Sequence, residues 1–444
     1  MNEIRKLGLE ELDPFVLLMA NAYPGIGLST QEAQNRLRER WMQAVRDDAP
    51  TAFYGYFRDG RMIGGMRWYK YMINVHGVRL QAAGIGSVAV DLLHKKEKVA
   101  KEMLAFFLQT SREQGTALAL LYPFRVDFYK QMGFGEGTKM NQYQVSPGSL
   151  PHRGSKRDVV YLGKADKDAI IACYQRYASR THGMIDKQEY ECRSMFDTPE
   201  NIIVGCKQGE RVTGYLVFAF RKASDENVML NNMLVKEFVY ETREALSQLL
   251  TFLNSQADQV HRIIFNTQDE HFHYLLADPR NGTNRLLPHV YHESHTAGVG
   301  LMYRVIDVPG IFRQLASRPF GVDALKLKLT ICDSFLPENA GSTVVHFQGG
   351  MPAVVEDGEY EVEAHLDISH FSSLLMGAVP FSRLYQYGFA DLSDPDYLEP
   401  VNRLFRSEEK PVCTTALLKE VLFGILAIFL LSSVTSTITR LWKI

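Results

Sequence analysis

Residues 52–90 read with a period of two, and the run is broken only at Asp59-Gly60 and His76-Gly77. A pattern of that length buries one face of successive strands and reverses the chain at tight turns, which commits this part of the protein to an antiparallel meander. The flanks change period. Residues 9–22 place Leu12, Phe15, Val16, Met19 and Ala20 at helical spacing and stop at Pro24-Gly25, and Ser29 is positioned to cap a second helix through Arg46. Residues 95–112 are helical again, with Val99, Ala100, Met103, Leu104, Phe107 and Leu108 on one face. A short apolar strand over 117–122, a short helix over 124–132 and a strand opened by Gly133-Phe134 complete the block.

Residues 146–157, rich in Ser, Pro, Gly and Arg, read as a linker, after which the same order of elements returns without the same sequence. A helix over 167–180, strands over 202–207, 212–221 and 228–235, a helix over 242–256 and a strand over 262–265 point to a duplicated fold. From Val308 onward a short helix at 312–315, strands at 325–333, 341–348, 351–356 and 361–366 and a helix at 368–376 describe an α+β module dominated by antiparallel strands. The expected class is therefore α/β (α+β), with domains at 1–150, 157–305 and 306–417 and an apolar tail at 418–444.

Composition narrows the partners. With 444 residues, 46% hydrophobic and 23% charged, the chain is neither disordered nor collagenous. Its 49 Lys and Arg against 51 Asp and Glu leave a net charge of −2, which predicts no nucleic-acid partner. That balance is uneven: the tail carries Lys419, Arg440 and Lys443 against Glu420, so the remainder is more acidic than the total suggests. Cys173, Cys192, Cys206, Cys332 and Cys413 are dispersed and read as buried or free thiols, and the amino terminus lacks a signal-like apolar run. A cytoplasmic protein is the expectation. Residues 421–439 contain no charge and fall within the roughly 17–25 residues that cross a bilayer, with Arg440, Trp442 and Lys443 placed like interfacial anchors. Ser432, Ser433, Thr435, Ser436, Thr437 and Thr439 work against a span, so membrane contact by the tail stands as an alternative to a docked helix.

The chemistry concentrates in Gly84-Ile85-Gly86-Ser87-Val88-Ala89-Val90 and the lysine-rich Lys95-Lys96-Glu97-Lys98-Val99-Ala100-Lys101 that follows. Unpaired N–H groups and the positive dipole end of a helix suit a pyrophosphate, and lysines there add charge. If the strand parts from its neighbour, as Gly84 and Gly86 permit, its free N–H groups can hold an acyl carbonyl and the oxyanion that forms from it. The alternative is a half-buried strand followed by a solvated helix start. Tyr129 lies on the short helix just before Gly133-Phe134, where a packed core aromatic is the competing reading. His289, His292 and His295, with His271 and His273, lack the partners of a known metal site, and no G-x-S-x-G elbow supports a hydrolase.

The order strand, basic helix start, strand, tyrosine helix and Gly-Phe strand resembles the GNAT acyltransferases, and two such blocks followed by a sterol-carrier-protein-like module resemble the enhanced intracellular survival (Eis) family over residues 1 to about 417. The resemblance implies acetyl-coenzyme A as cosubstrate and no metal. It assigns Val88, Ala89 and Val90 to the acyl group, Lys96, Glu97, Lys98, Val99, Ala100 and Lys101 to the pyrophosphate, Phe124 and Arg125 to the pantetheine arm, and Tyr129 to protonation of the departing thiolate. It also implies direct attack on the thioester by a primary amine of an aminoglycoside, polyamine or lysine side chain, a degenerate second copy with a structural role, and a homo-oligomer, a hexamer in relatives. Two departures stand out. Lys98 occupies the position of a glycine in the family's pyrophosphate loop, which predicts a looser cradle. The segment Lys410-Pro411-Val412-Cys413-Thr414-Thr415-Ala416-Leu417 resembles the family's closing residues, whose terminal carboxylate takes the amine's proton, yet this chain continues for 27 residues. The rival expectation is a catalytically impaired binding or carrier protein.

Overall fold

The computed structural model describes residues 2–47, 50–224, 226–227, 229–321, 323–356 and 358–414. The tail at 418–444 and Leu417 lie outside the described residues.

The first sheet begins with β1 (Asn2–Lys6) and, after helices α1 (Leu12–Ala22) and α2 (Gln31–Arg46), continues through β2 (Thr51–Arg58), β3 (Arg61–Val75) and β4 (Val78–Val90) as an antiparallel meander. Both reversals have positive φ at both central residues, Asp59-Gly60 and His76-Gly77, the geometry that matches strand twist in a tight hairpin. Thr30, not Ser29, caps α2: its hydroxyl accepts the Ala33 N–H at 3.3 Å, so the helix starts one residue later than the spacing predicts. Helix α3 (Val99–Glu113) leads to β5 (Leu118–Leu121), which pairs parallel to β4, then to the short helix α4 (Val126–Lys130) and β6 (Gly135–Glu136). α3 starts at Val99, so Lys95 to Lys98 form a loop in front of the helix rather than its first turn.

The strand β7 (Met140–Val145) leaves this sheet and joins a second one, built from β8 (Val159–Tyr161), β9 (Ile202–Gln208), β10 (Arg211–Lys222), β11 (Asn231–Tyr240) and β12 (Val260–Thr267). Helices α5 (Lys167–Ala178), α6 (Glu189–Asp197) and α7 (Arg243–Asn254) accompany it. The presumed linker is partly core, because Leu150 is buried with Tyr143, Leu253 and Phe265. Residues 289–295 form no helix: β13 (Leu286–Leu287) and β14 (Tyr291–His292) make a small hairpin and β15 (His295–Gly298) pairs with β7, so the three histidines do not share a helical face. The next strand, β16 (Met302–Val305), crosses back into the first sheet and fills the place between β5 and β6. Each sheet thus contains a strand that follows the other in sequence, which satisfies backbone groups that would otherwise stand at an open edge.

The third unit places α8 (Val308–Gln314) against a sheet ordered β19 (Met351–Val355), β18 (Gly341–Gln348), β17 (Leu325–Cys332), β20 (Val362–Asp367) and β21 (Ala390–Leu392), with α9 (Ile368–Leu375), α10 (Phe381–Gln386) and α11 (Leu398–Leu404). Its core is continuous with the far half of the first sheet, since Tyr71, Ile73, Leu118 and Tyr303 bury with Phe312, Leu327 and Phe371. Among the described residues, no helix is long and apolar enough to cross a membrane.

Candidate active site in the first sheet

β4 and β5 pair only from Ala82↔Leu118 to Gly84↔Leu120. Beyond Gly84 the two parallel strands part, so the β5-facing edge of β4 from Ile85 to Val90 has no strand partner. On its other edge β4 bulges: Gly65 faces Ala89 and Arg67 faces Gly86, so Met66 alone opposes Ser87 and Val88. The left-handed residue at the bulge is Ser87, with φ of 50°. The strand therefore departs through a serine in the left-handed region, rather than through the flexibility expected of Gly84 and Gly86. Pleating then separates the residues that follow. Val88 buries in the core with Val99 and Tyr129, while Ala89 points into the opposite core, with Phe15 and Trp41.

The loop between β4 and α3 supplies the basic groups. Lys96 and Lys98 have φ of 70° and 65°, conformations that glycine adopts at no steric cost and that other residues adopt at about 1–2 kcal/mol. Lys98 thus takes a conformation that favours glycine despite its side chain. It is the N-cap of α3 without a side-chain cap bond, and the first helical hydrogen bond runs from the Glu102 N–H to the Lys98 carbonyl at 2.9 Å. The N–H groups of Val99, Ala100 and Lys101 precede that bond and have no helical acceptor. Glu97 is held away from them by Arg58 at 2.5 Å and His94 at 3.1 Å, and the Arg58 hydrogen bond keeps its carboxyl below the ordinary range. Lys101 reaches across to the third unit, with its ammonium 5.6 Å from the Phe335 ring centre.

Tyr129 sits on α4 inside an aromatic enclosure: Phe124, Phe128 and Phe134 lie edge-on to its ring at 5.7, 5.2 and 6.0 Å. It is 4% exposed. The Tyr129 carbonyl accepts the Met132 and Phe134 N–H groups at 3.0 and 3.1 Å, closing a turn in which Gly133 has φ of 79°. A Cβ on Gly133 would lie 1.5 Å from the Arg304 guanidinium, so only glycine fits there. Burial, with the nearby Tyr23, pushes the Tyr129 phenol far above its usual range, and the group remains protonated at neutral pH. Phe124 is exposed, and Arg125 is paired with Asp127 on the surface.

One residue at this place escaped the sequence reading. Tyr23, just beyond α1, donates its hydroxyl to the Val88 carbonyl, and burial pushes its own phenol up to about 12. Nothing local marks it, since it lies where the chain leaves a helix before Pro24-Gly25; only the packing of α1 on β4 brings it to the bulge. The closing segment approaches from the other side. The Val412 N–H donates to the His182 carbonyl at 2.8 Å and the Cys413 N–H to Gln268 Oε1 at 2.6 Å, and burial, with the nearby Cys413 side chain, raises the phenol of Tyr122, the residue after β5. Among the described residues there is no cluster of three or more metal-ligating side chains.

Comparison with known proteins agrees with this build. Residues 3–137 match an acetyltransferase (GNAT) domain family, residues 177–305 a second acetyltransferase (GNAT) domain family and residues 311–414 the sterol carrier protein domain. No curated protein matches the chain by sequence. Among solved structures, a GCN5-related N-acetyltransferase from Anabaena variabilis superposes with a TM-score of 0.77 at 18% identity, covering 93% of this chain and 99% of that one. A probable N-acyltransferase from Enterococcus faecalis gives 0.75 at 20% identity, covering 93% and 99%. Eis1 from Mycobacterium abscessus gives 0.71 at 19% identity, covering 94% and 100%. At these identities the likeness is one of fold, and it extends over all three units. GNAT domains use acetyl-coenzyme A and act on amine acceptors. Two GNAT domains followed by a sterol carrier protein domain make this chain a tandem GNAT acetyltransferase, in the arrangement of which Eis1 is an example.

Proposed function

We propose that the first domain transfers an acetyl group from acetyl-coenzyme A directly to a primary amine, with Tyr129 as general acid. The observation that carries this reading is a buried, protonated phenol beside a strand edge that opens at Gly84. The residues present fit the cosubstrate: Lys96 and Lys98 take the left-handed conformations of a phosphate-cradling loop, and α3 offers N–H groups without helical acceptors. Bound acetyl-coenzyme A would supply the thioester as acyl donor.

The chain's own residues do the rest. The free edge of β4 from Ile85 to Val90 offers backbone donors to the carbonyl oxygen on which charge develops, in a site where burial strengthens such bonds. Tyr23 fixes the Val88 carbonyl and so holds the bulge in register. The Tyr129 hydroxyl holds the proton that the leaving sulfur requires, and its raised pKa keeps that proton in place until charge appears beside it. An alkyl amine with a pKa of about 10 must lose a proton before it attacks. Family resemblance favours aminoglycosides, polyamines and lysine side chains as acceptors and a hexameric assembly.

A thiol-release assay with acetyl-coenzyme A and spermidine or an aminoglycoside tests the reading on the full chain, on a chain ending at Leu417 and on Tyr129→Phe. Release in either wild-type form supports it; release only from the shortened chain places the base at Leu417. Silence in both would leave a binding protein instead.

A further inference from the structure

The second GNAT domain repeats the opened strand pair but not the phosphate cradle. β11 and β12 pair in parallel only as far as Leu234↔Ile264, and β11 then bulges, with Val217 opposite Glu237 and Phe218 opposite Val235, so that Lys236 is the extra residue. Between these strands and the third unit lies a cavity of about 1480 Å³. None of Val88, Lys98 or Tyr129 lines it; it meets the first sheet at Tyr122, and β7 and the closing residues Val412 to Thr414 also line it.

Its wall carries a specific chemistry. Tyr177 and Tyr240 lie 6.2 Å apart, Tyr240 and Phe238 5.4 Å, and Phe238 and Phe265 6.1 Å, which gives a continuous aromatic surface inside the cavity. Burial raises the Tyr177 and Tyr240 phenols, Tyr240 to about 12, and the nearby Asp269 and Glu409 carboxylates add to both shifts. The basic groups on the wall are mostly engaged: Lys410 with Glu270 at 2.9 Å, Arg403 with Asp323 at 2.9 Å and Lys236 with Glu200 at 3.5 Å. Among the described residues that line the cavity, the carboxylates of Asp269, Glu399, Glu408 and Glu409 are then opposed by the unpaired guanidinium of Arg406 alone. Aromatic faces together with a carboxylate surplus attract an organic ammonium ion.

We propose that the second domain, which has no phosphate site, is a binding site for an organic ammonium ligand, held between the Tyr177, Phe238 and Tyr240 rings and the Asp269 and Glu409 carboxylates. This goes beyond the acetyl transfer proposed for the first domain and does not depend on it. The ammonium group lies against the rings, its apolar substituents displace water from the Phe238 and Phe265 side, and the carboxylates balance its charge.

Isothermal titration of the full chain with benzyltrimethylammonium tests this, because a quaternary ammonium cannot be acetylated and binding is read apart from turnover. The expected result is saturable single-site binding that persists in saturating coenzyme A and weakens about tenfold or more in Tyr240→Leu and Asp269→Asn. Glu409→Gln, at an exposed position, provides a milder variant whose fold is not at risk, and it should weaken binding severalfold. Absence of saturable binding, equal binding of neutral benzyl alcohol, competition by coenzyme A, or affinity unchanged in Asp269→Asn and Glu409→Gln would each overturn the proposal.

Discussion

The two GNAT copies keep the same opened strand pair and differ at the helix that follows it. In the first copy, the N-cap of α3 is Lys98, a left-handed residue that makes no side-chain cap bond, which leaves backbone donors available. In the second, Thr242 caps α7 by accepting the Ala245 N–H at 3.1 Å, and no lysine run precedes it. A helix end whose donors are already met by its own hydroxyl has less to offer a phosphate. The strand opening is thus common to both domains, whereas the proposed anion site is a property of a short loop and one cap. The short helix after β12, Phe272–Leu275, also carries a tyrosine, but Tyr274 is 81% exposed where Tyr129 is 4% exposed, so it is not enclosed beside the opened strand.

The contrast breaks most sharply at Tyr129. Replacing it with Phe should lower kcat for acetyl transfer by about 10² to 10³-fold with little change in acetyl-coenzyme A affinity, measured by thiol release and by equilibrium binding. Because the phenol is raised rather than lowered, its protonated form persists through the neutral range, and the wild-type rate should show no loss from this group below pH 10. Charge reversal distinguishes the loops next. Lys98→Glu should raise KM for acetyl-coenzyme A roughly tenfold, while Arg243→Glu, at the start of α7, should leave it unchanged. Equal effects at the two positions would show that both copies bind the cosubstrate.

A smaller effect tests the joint between the copies. His76 and His182 stack with ring centres 3.6 Å apart, and their ring nitrogens face the Leu375 and Met376 carbonyls of the third unit at 3.4 and 3.0 Å. Burial depresses both, His182 to about 4, with Arg318 adding repulsion to each and His182 to His76. The unfolded chain, with ordinary histidines near pH 6.5, therefore binds more protons than the folded one as pH falls. Stability should be complete above about pH 6.5 and decline from there towards pH 4, and His182→Asn should flatten that part of a plot of Tm against pH. The smallest expected changes are in the caps: Thr242→Ala should cost about 1 kcal/mol in chemical denaturation without altering KM, and Lys98→Gly should stabilise by about 1 kcal/mol by relieving its left-handed backbone. A destabilised Lys98→Gly would mean that the lysine side chain compensates its own strain.

Much of the site was legible in residue types. Glycine-rich β4, the lysine run and the Tyr129 to Phe134 stretch sit in an order that local chemistry makes recognisable, and the three blocks announce themselves through changes of period. The missed or shifted features have a common cause. Ser29 yielded to Thr30 because two adjacent hydroxyls compete for one cap. The lysines before Val99 looked helical because lysine is a good helix former, but Lys96 and Lys98 turn left-handed. Tyr23 carries no local sign of its bond to Val88, which spans 65 residues of sequence.

The sequence by itself determined the periodicities, the turns and the chemical groups on the first sheet, since these depend on neighbours within a few residues. Tertiary structure alone decided which strand closes which sheet, with β7 and β16 exchanged between the copies, and which hydroxyl reaches the bulge. It also made the cavity in the second copy, because strand pairing that stops at Leu234 opens a space only when a third unit roofs it. Pairing partners and enclosed volumes are set by contacts between residues distant in the chain, and a local pattern carries no record of them.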